Sequence, residues 1–290
     1  MVGDHHHFEN TTGTTDNDIH TSPGNLTLTS SATFTSSEWK DCRSAVSNGG
    51  GAIYCVIPSL SISVDSCTFT DCCCGSLSSC GGSIYVAPVA SFSLLQSLFD
   101  YTTDTQNACH GGTLYVGSTI SVCIHSDTFR RCNGTTSGGA VWIGYCSEAT
   151  RSSTIFENCI FIGCEGAGGH GGGPCLDNNY QFANFISNCL FTENSNLYGG
   201  GLYLRYPSDT FSSERHCILF CFFHKNSAKS HTRDAFLDGC PQNGPNPITH
   251  SLTTTAVEHT VLPIHWDSER KQDDWLLLAL SMYILVNSRQ

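Results

Sequence analysis

Five aromatic side chains recur in one local context and could together form a binding surface. Each follows two glycines, one small residue and one aliphatic residue, and the five are Tyr54, Tyr85, Tyr115, Trp142 and Tyr203. Successive side chains of a strand point to opposite faces, so an aliphatic core leaves these rings on the outside. We expect the outer rings to bind by stacking on sugar rings or by receiving a partner protein. The alternative is that the stacked rings only support the sheet.

The chain has 18 cysteines, which could bind a metal, form disulfides or pack as small apolar residues. Cys72, Cys73, Cys74 and Cys80 are the densest group, but zinc requires ligands that converge tetrahedrally. Other cysteines occupy equivalent places in adjacent repeats, where a ladder spacing of about 4.8 Å permits disulfides. Parallel, in-register side chains point the same way, however, so we expect reduced packing thiols, with bridges as the alternative. We therefore predict no metal and no cofactor.

Hydrolysis of a glycosidic bond requires two carboxyl groups, one acting as acid and the other as base or nucleophile. The nearest candidates are Glu157 with Glu165 or with Asp177. The phrase Gly169-His170-Gly171 is similar to the Gly-His-Gly of polygalacturonases, but that family's Asn-Thr-Asp, Asp-Asp and Arg-Ile-Lys elements are missing from the repeat region. We predict no catalytic residue, and an enzyme remains the alternative.

Charge and hydropathy narrow the range of partners. The chain has 25 acidic against 13 basic residues, without a Lys/Arg cluster, which argues against nucleic acid and anionic membranes as partners. The apolar run from Trp275 to Val286 would reach about 18 Å as a helix, whereas a hydrocarbon core is about 30 Å thick. We interpret this run as a terminal or capping segment and predict no membrane span.

These residues are positioned by a repeat of 30 or 32 residues. An aromatic residue marks each copy, at Trp39, Phe69, Phe99, Phe129, Phe161, Phe191 and Phe223. An apolar residue stands five positions earlier each time, at Phe34, Val64, Leu94, Ile124, Phe156, Ile186 and Ile218. An odd spacing cannot keep both residues on one face of an uninterrupted strand, which predicts a turn or bulge near Ser66, Asn158 and Asn188.

The repeat predicts an all-β solenoid. Each unit contains short alternating β-branched or aromatic segments separated by Gly, Ser, Asn and Asp, and has no helical period. A unit of three short strands buries its apolar face only by stacking on its neighbours. We predict a single-stranded right-handed parallel β-helix of about seven rungs over residues 25–240. A β-propeller is the alternative, although its blades are usually longer. Residues 1–24 are predicted to be loose, and 241–290 to be a C-terminal cap or irregular tail.

The Gly-Gly-Ala-Ile phrase at 50–53, together with Phe-x-x-Asn at 191–194 and 223–226, resembles the repeats of the polymorphic outer-membrane protein family. More broadly, the chain resembles right-handed, pectin-lyase-like surface proteins. The resemblance implies a β-helical adhesion module, and this chain departs from it by having Cys where Asn is usual in four of seven units.

We therefore expect a non-enzymatic surface or interaction module that binds glycans or host and cell-surface proteins along its lateral face. The expected location is extracellular or at the cell surface. A polysaccharide lyase or glycoside hydrolase of the same fold is the alternative.

Overall fold

The computed structural model describes residues 19–20, 25–44, 49–74, 80–102, 110–144, 152–177, 182–205, 216–230, 235–238 and 265–267. Within these ranges the protein contains β-strands and turns, with no helix. Three long parallel sheets, here called A, B and C, hold most of the strands.

The strands of the three long sheets are short. Sheet A consists of Ile19–His20, Glu38–Lys40, Thr68–Thr70, Leu98–Asp100, Thr128–Arg130, Ile160–Ile162, Leu190–Thr192 and Phe222–His224. Sheet B consists of Leu26–Thr27, Ile53–Cys55, Ile84–Val86, Leu114–Gly117, Val141–Gly144, Pro174–Asp177, Leu202–Arg205, Ala235–Asp238 and His265–Asp267. Sheet C consists of Ala32–Thr35, Ser61–Asp65, Ser91–Leu95, Ser121–His125, Ser152–Glu157, Phe182–Ser187 and His216–Leu219.

Two minor sheets occupy the side between sheets A and B. One has the strands Asn133–Gly134, Glu165–Gly166, Ser195–Asn196 and Ser227–Ala228, and the other has Arg43–Ser44 and Cys73–Cys74. The chain therefore passes from sheet B to sheet C, then to sheet A, and returns to sheet B one level further along.

Every described strand pairs in parallel with a strand of an adjacent rung. Ile84, for example, pairs with Ile53 on one side and with Leu114 on the other. This pattern makes the protein a parallel β-solenoid of stacked rungs, which confirms the predicted all-β parallel architecture. The right-handed sense and the number of seven rungs stay predictions.

Single residues in the left-handed backbone region turn the chain at the corners. Ser66, Asn158 and Asn188 have φ of 54°, 57° and 53°, so the turn predicted from the odd spacing is confirmed. The first glycine of each glycine pair turns the chain into sheet B, as at Gly50 with φ of 62°. Glycine is favoured at such a corner because it has no Cβ to clash in this conformation.

The interior is a continuous apolar column. In Ser61–Asp65 the side chains of Ile62 and Val64 are buried, whereas the Ser and Asp side chains face outward. The aromatic residues that mark the repeat stack inside as one ladder, with ring centroids 4.6–5.9 Å apart. We call this set, from Trp39 to Phe223, the inner ladder.

Two short strands outside residues 25–240 pair with the solenoid. Ile19–His20 joins sheet A, and His265–Asp267 joins sheet B. Strands of two or three residues are too short to show a period, so the sequence did not indicate them. The run from Trp275 to Val286 lies outside the described residues.

Candidate functional site

The outer face of sheet B carries what we call the aromatic row: Tyr54, Tyr85, Tyr115, Trp142 and Tyr203. Ile53 and Cys55, which flank the first ring along its strand, belong to the main core. Tyr115, Trp142 and Tyr203 instead form a separate cluster. The strand alternation therefore places the row outside the column, as its pattern predicted.

The first four rings of the row stack on one another from rung to rung. Their centroids are 5.3 Å apart for Tyr54 and Tyr85, 4.6 Å for Tyr85 and Tyr115, and 4.6 Å for Tyr115 and Trp142. The planes are inclined by 23°, 2° and 17°, so the rings lie face to face. Stacking of this kind adds favourable contacts to the parallel pairing of the strands.

Cys175 interrupts the row. It pairs in register with Trp142 on one side and with Tyr203 on the other, and is buried. Burial raises the pKa of the Cys175 thiol well above its ordinary value, with a further rise from Asp177, and Arg205 opposes both. The thiol is therefore protonated at neutral pH and not activated as a nucleophile. The position of Cys175 in the row could have been predicted from the sequence, because Trp142 and Tyr203 are two repeats apart and one repeat therefore lies between them.

Two glycines further along the strands make room for the rings. A Cβ at Gly144 would lie 2.7 Å from two atoms of the Trp142 ring, and a Cβ at Gly117 would lie 3.0 Å from Tyr115 Cε1. Each ring therefore extends along its own strand and lies over the glycine two residues after it. In the rung of Tyr54 the equivalent residue is Val56, whose side chain is exposed.

Burial differs strongly along the row. Tyr115, Trp142 and Tyr203 are 9%, 1% and 2% exposed, whereas Tyr54 and Tyr85 are half-buried. Three of the five predicted ligand-binding residues are therefore not accessible to a ligand unless their covering residues move. Of the predicted set, Tyr54 and Tyr85 are the accessible members.

Residues that precede the glycine corners cover two of the buried rings. His110 stacks against Trp142 with centroids 5.2 Å apart, and His170 stacks against Tyr203 at 4.2 Å. The equivalent residue beside Tyr85 is Gly49, which has no side chain, and an added Cβ there would lie 2.8 Å from Tyr85 Cδ2. These covering residues follow no apolar or aromatic period, so sequence reasoning missed their role.

The ring of Tyr54 ends the row. Tyr54 stacks on Tyr85, but its register partner in the preceding rung is Thr27, which has no ring. Tyr85 has a ring on both sides. Of the two half-buried rings in the row, Tyr54 is thus the one with a ring of the described residues on one side only.

The accessible end of the row carries no charge at neutral pH. Burial raises the pKa of Tyr54, and Cys55 adds a smaller rise. Burial also raises the pKa of Tyr85, followed by Cys80 and Tyr54. Both phenols therefore keep their protons far above neutral pH.

The corner after sheet A is held by a second ladder, which contains Cys in some rungs and Asn in others. Cys164 Sγ lies 3.5 Å from the Phe129 carbonyl oxygen, and Asn194 Nδ2 donates to the Phe161 carbonyl oxygen at 3.0 Å. The thiol and the amide therefore donate to equivalent acceptors, in each case the carbonyl oxygen of the inner-ladder residue one rung back. The Asn residue also accepts, because Asn194 Oδ1 receives the Cys164 N–H at 2.8 Å.

The thiol of Cys164 is suited to donating a weak hydrogen bond rather than to reacting. Burial raises its pKa well above the ordinary value, as it does for Cys159 at the corner between sheets C and A. A protonated buried thiol acts as a small apolar residue with a weak donor. The reduced state expected for the cysteines stays a prediction, with bridges as its alternative.

The structure does not bring the candidate carboxylates to one site. Glu157 ends a strand of sheet C, Glu165 begins a strand of a minor sheet, and Asp177 ends a strand of sheet B. Glu157 faces His125 at 3.4 Å, and Asp177 faces Arg205 at 3.2 Å. In the phrase Gly169-His170-Gly171, the His170 ring packs against the rings of Tyr198 and Tyr203.

Two further features concern metals and membranes. Within the described ranges, no group of three or more His, Cys, Asp or Glu side chains is arranged to hold a metal ion. The same ranges contain no helix long and apolar enough to cross a membrane.

The fold and the row define the class of this protein as a cysteine-rich parallel β-solenoid with an outer aromatic row. Comparison with protein-family models, with curated proteins and with solved structures finds no match to this chain.

Proposed function

We propose that this β-solenoid is a non-enzymatic surface module that binds glycans along the lateral face of sheet B. We further propose that it is a right-handed, pectin-lyase-like solenoid related to the polymorphic outer-membrane protein repeats, located outside the cell or at its surface. The observation that carries the proposal is the ordered aromatic row, whose members Tyr54 and Tyr85 remain accessible.

Physical chemistry favours a sugar as the ligand of this face. Tyrosine offers an apolar ring and a hydroxyl that donates or accepts a hydrogen bond, which matches the C–H faces and hydroxyl groups of a pyranose. A stack of rings is also rigid, so binding orders few side chains. The protein has a net charge of −12, which disfavours acidic polymers as ligands.

The test is a glycan and extracellular-matrix binding screen run beside a polysaccharide-degradation assay on the same preparation. The proposal expects capture of at least one glycan class without a change in its chain length. Capture of matrix proteins alone would contradict the choice of ligand and leave an adhesion module for proteins. Shortening of a polysaccharide would contradict the non-enzymatic assignment.

A further inference from the structure

The geometry of the aromatic row points to one binding position within it, and this inference rests on the proposed function. We infer that the ligand is a neutral pyranose ring that stacks on the face of Tyr54 that no ring of the described residues covers, above Thr27. It would occupy the place that one more ring of the row would take.

The first step in the argument is that stacking on a sugar requires the face of an aromatic ring. In the stack from Tyr54 to Trp142 the rings lie face to face at 4.6–5.3 Å, so Tyr85 and Tyr115 have both faces against other rings. These rings present only edges to the outside. Tyr54 differs because the residue in register on its other side is Thr27.

The second step is that the row can be continued by one ring. Leu26–Thr27 continues sheet B past Ile53–Cys55 in parallel register, and the Leu28 N–H donates to the Tyr54 carbonyl oxygen at 2.8 Å. The backbone beneath the next position of the row is therefore present and paired. Thr27 supplies a hydroxyl there in place of a ring.

The third step concerns polarity. The described neighbours of Thr27 along the chain are Asn25 and Leu26 before it and Leu28 and the exposed Thr29 after it, and none of these four carries a charge. Asn25 Nδ2 donates to the Gly49 carbonyl oxygen at 3.0 Å, which holds the amide beside this position. Hydroxyl and amide groups around an aromatic face suit a neutral sugar better than an anionic one.

The experiment measures binding of two neutral probes, oligosaccharides of β-1,4-linked glucose and of β-1,4-linked N-acetylglucosamine, by titration calorimetry. Thr27→Met should abolish binding without removing any existing ring, because the new side chain would cover the Tyr54 face and offers no aromatic face of its own. Thr33→Met is the matched control, since it places the same side chain at an exposed position of sheet C. It should bind as the unmodified protein does.

Two substitutions of Tyr54 itself complete the set of variants. Tyr54→Ala should weaken binding by about 5- to 150-fold, the range that corresponds to about 1–3 kcal/mol for one stacked ring. Tyr54→Phe keeps the ring and should keep most of the affinity. The melting temperature of each variant shows whether a loss of binding follows from a loss of folding.

The outcomes separate this inference from the function on which it rests. Unchanged binding by a folded Thr27→Met variant overturns the Tyr54 position, while glycan binding by the unmodified protein keeps the proposed function. Absence of binding by the unmodified protein, to these probes and throughout the glycan screen, overturns both. Loss in Thr27→Met and Tyr54→Ala, with retention in Tyr54→Phe and Thr33→Met, supports the inference.

Discussion

The stability of this solenoid should fall as the pH rises from acid to weakly alkaline values, because of one buried carboxyl group. Asp127 is fully buried at a corner where the neighbouring rungs have Ser97 and Cys159. Its Oδ1 accepts the Ser97 N–H at 2.6 Å, while its Oδ2 is buried without a hydrogen-bond partner among the described residues. Burial is the main cause that raises the pKa of Asp127 to about 8, and Asp65 adds to the rise.

The sign and size of the effect follow from proton linkage. An unfolded Asp has a pKa near 3.9, so between about pH 4 and pH 8 the folded chain binds this proton and the unfolded chain does not. The stabilisation that the protonated Asp127 contributes is therefore fully present below about pH 4, decreases as the pH rises and is lost above about pH 8. Each unit of difference between the folded and unfolded pKa corresponds to about 1.4 kcal/mol, so the full decrease in the free energy of unfolding is on the order of 5 kcal/mol. A loss of that size is a large share of the stability of an ordinary domain.

The assay compares the unmodified protein with Asp127→Ser, which installs the residue type of the preceding rung. Free energies of unfolding are measured by urea titration at pH 5 and at pH 8.5. The unmodified protein should lose several kcal/mol more than the variant between these two values, because the variant lacks the buried carboxyl group and keeps every other titrating group. Equal losses in the two proteins would refute the assignment of a buried, protonated Asp127.

Three further predictions concern packing and redox state. Phe129→Ala removes one ring of the inner ladder and should lower the free energy of unfolding by about 3–5 kcal/mol in a urea titration; a loss below 1 kcal/mol would contradict the packed column. Gly139→Ala should destabilise strongly because its Cβ would lie 2.2 Å from the Gly172 carbonyl oxygen, whereas Gly168→Ala, with nothing within 4 Å, should change stability by less than about 1 kcal/mol. Alkylation of the denatured, unreduced protein should label most of the 18 cysteines, and labelling of only a few would show that disulfides dominate.

The repeat was predictable because the solenoid imposes the same demands on every rung. The odd spacing between Val64 and Phe69 required a turn, and the structure has that turn at Ser66. Cys and Asn also occupy equivalent corners for a local reason, since each donates to the equivalent carbonyl of the inner ladder one rung back. Such features depend on residues within one unit and its nearest neighbour, which is the range a repeat pattern reports.

Accessibility of the row was not predictable from the same pattern. Trp142 and Tyr203 are buried because His110 and His170 cover them, and these covering residues lie at corners where the residue type varies from rung to rung. The uncovered face of Tyr54 likewise depends on Thr27 being in register with it, and a strand of two residues carries no period.

A crystal structure of the protein with a bound oligosaccharide from the glycan screen tests the central claim most directly. The account predicts one pyranose ring parallel to the Tyr54 ring, stacked above Thr27 at about the spacing of the aromatic row itself. A sugar bound against sheet A or sheet C, with the face of Tyr54 unoccupied, would contradict it.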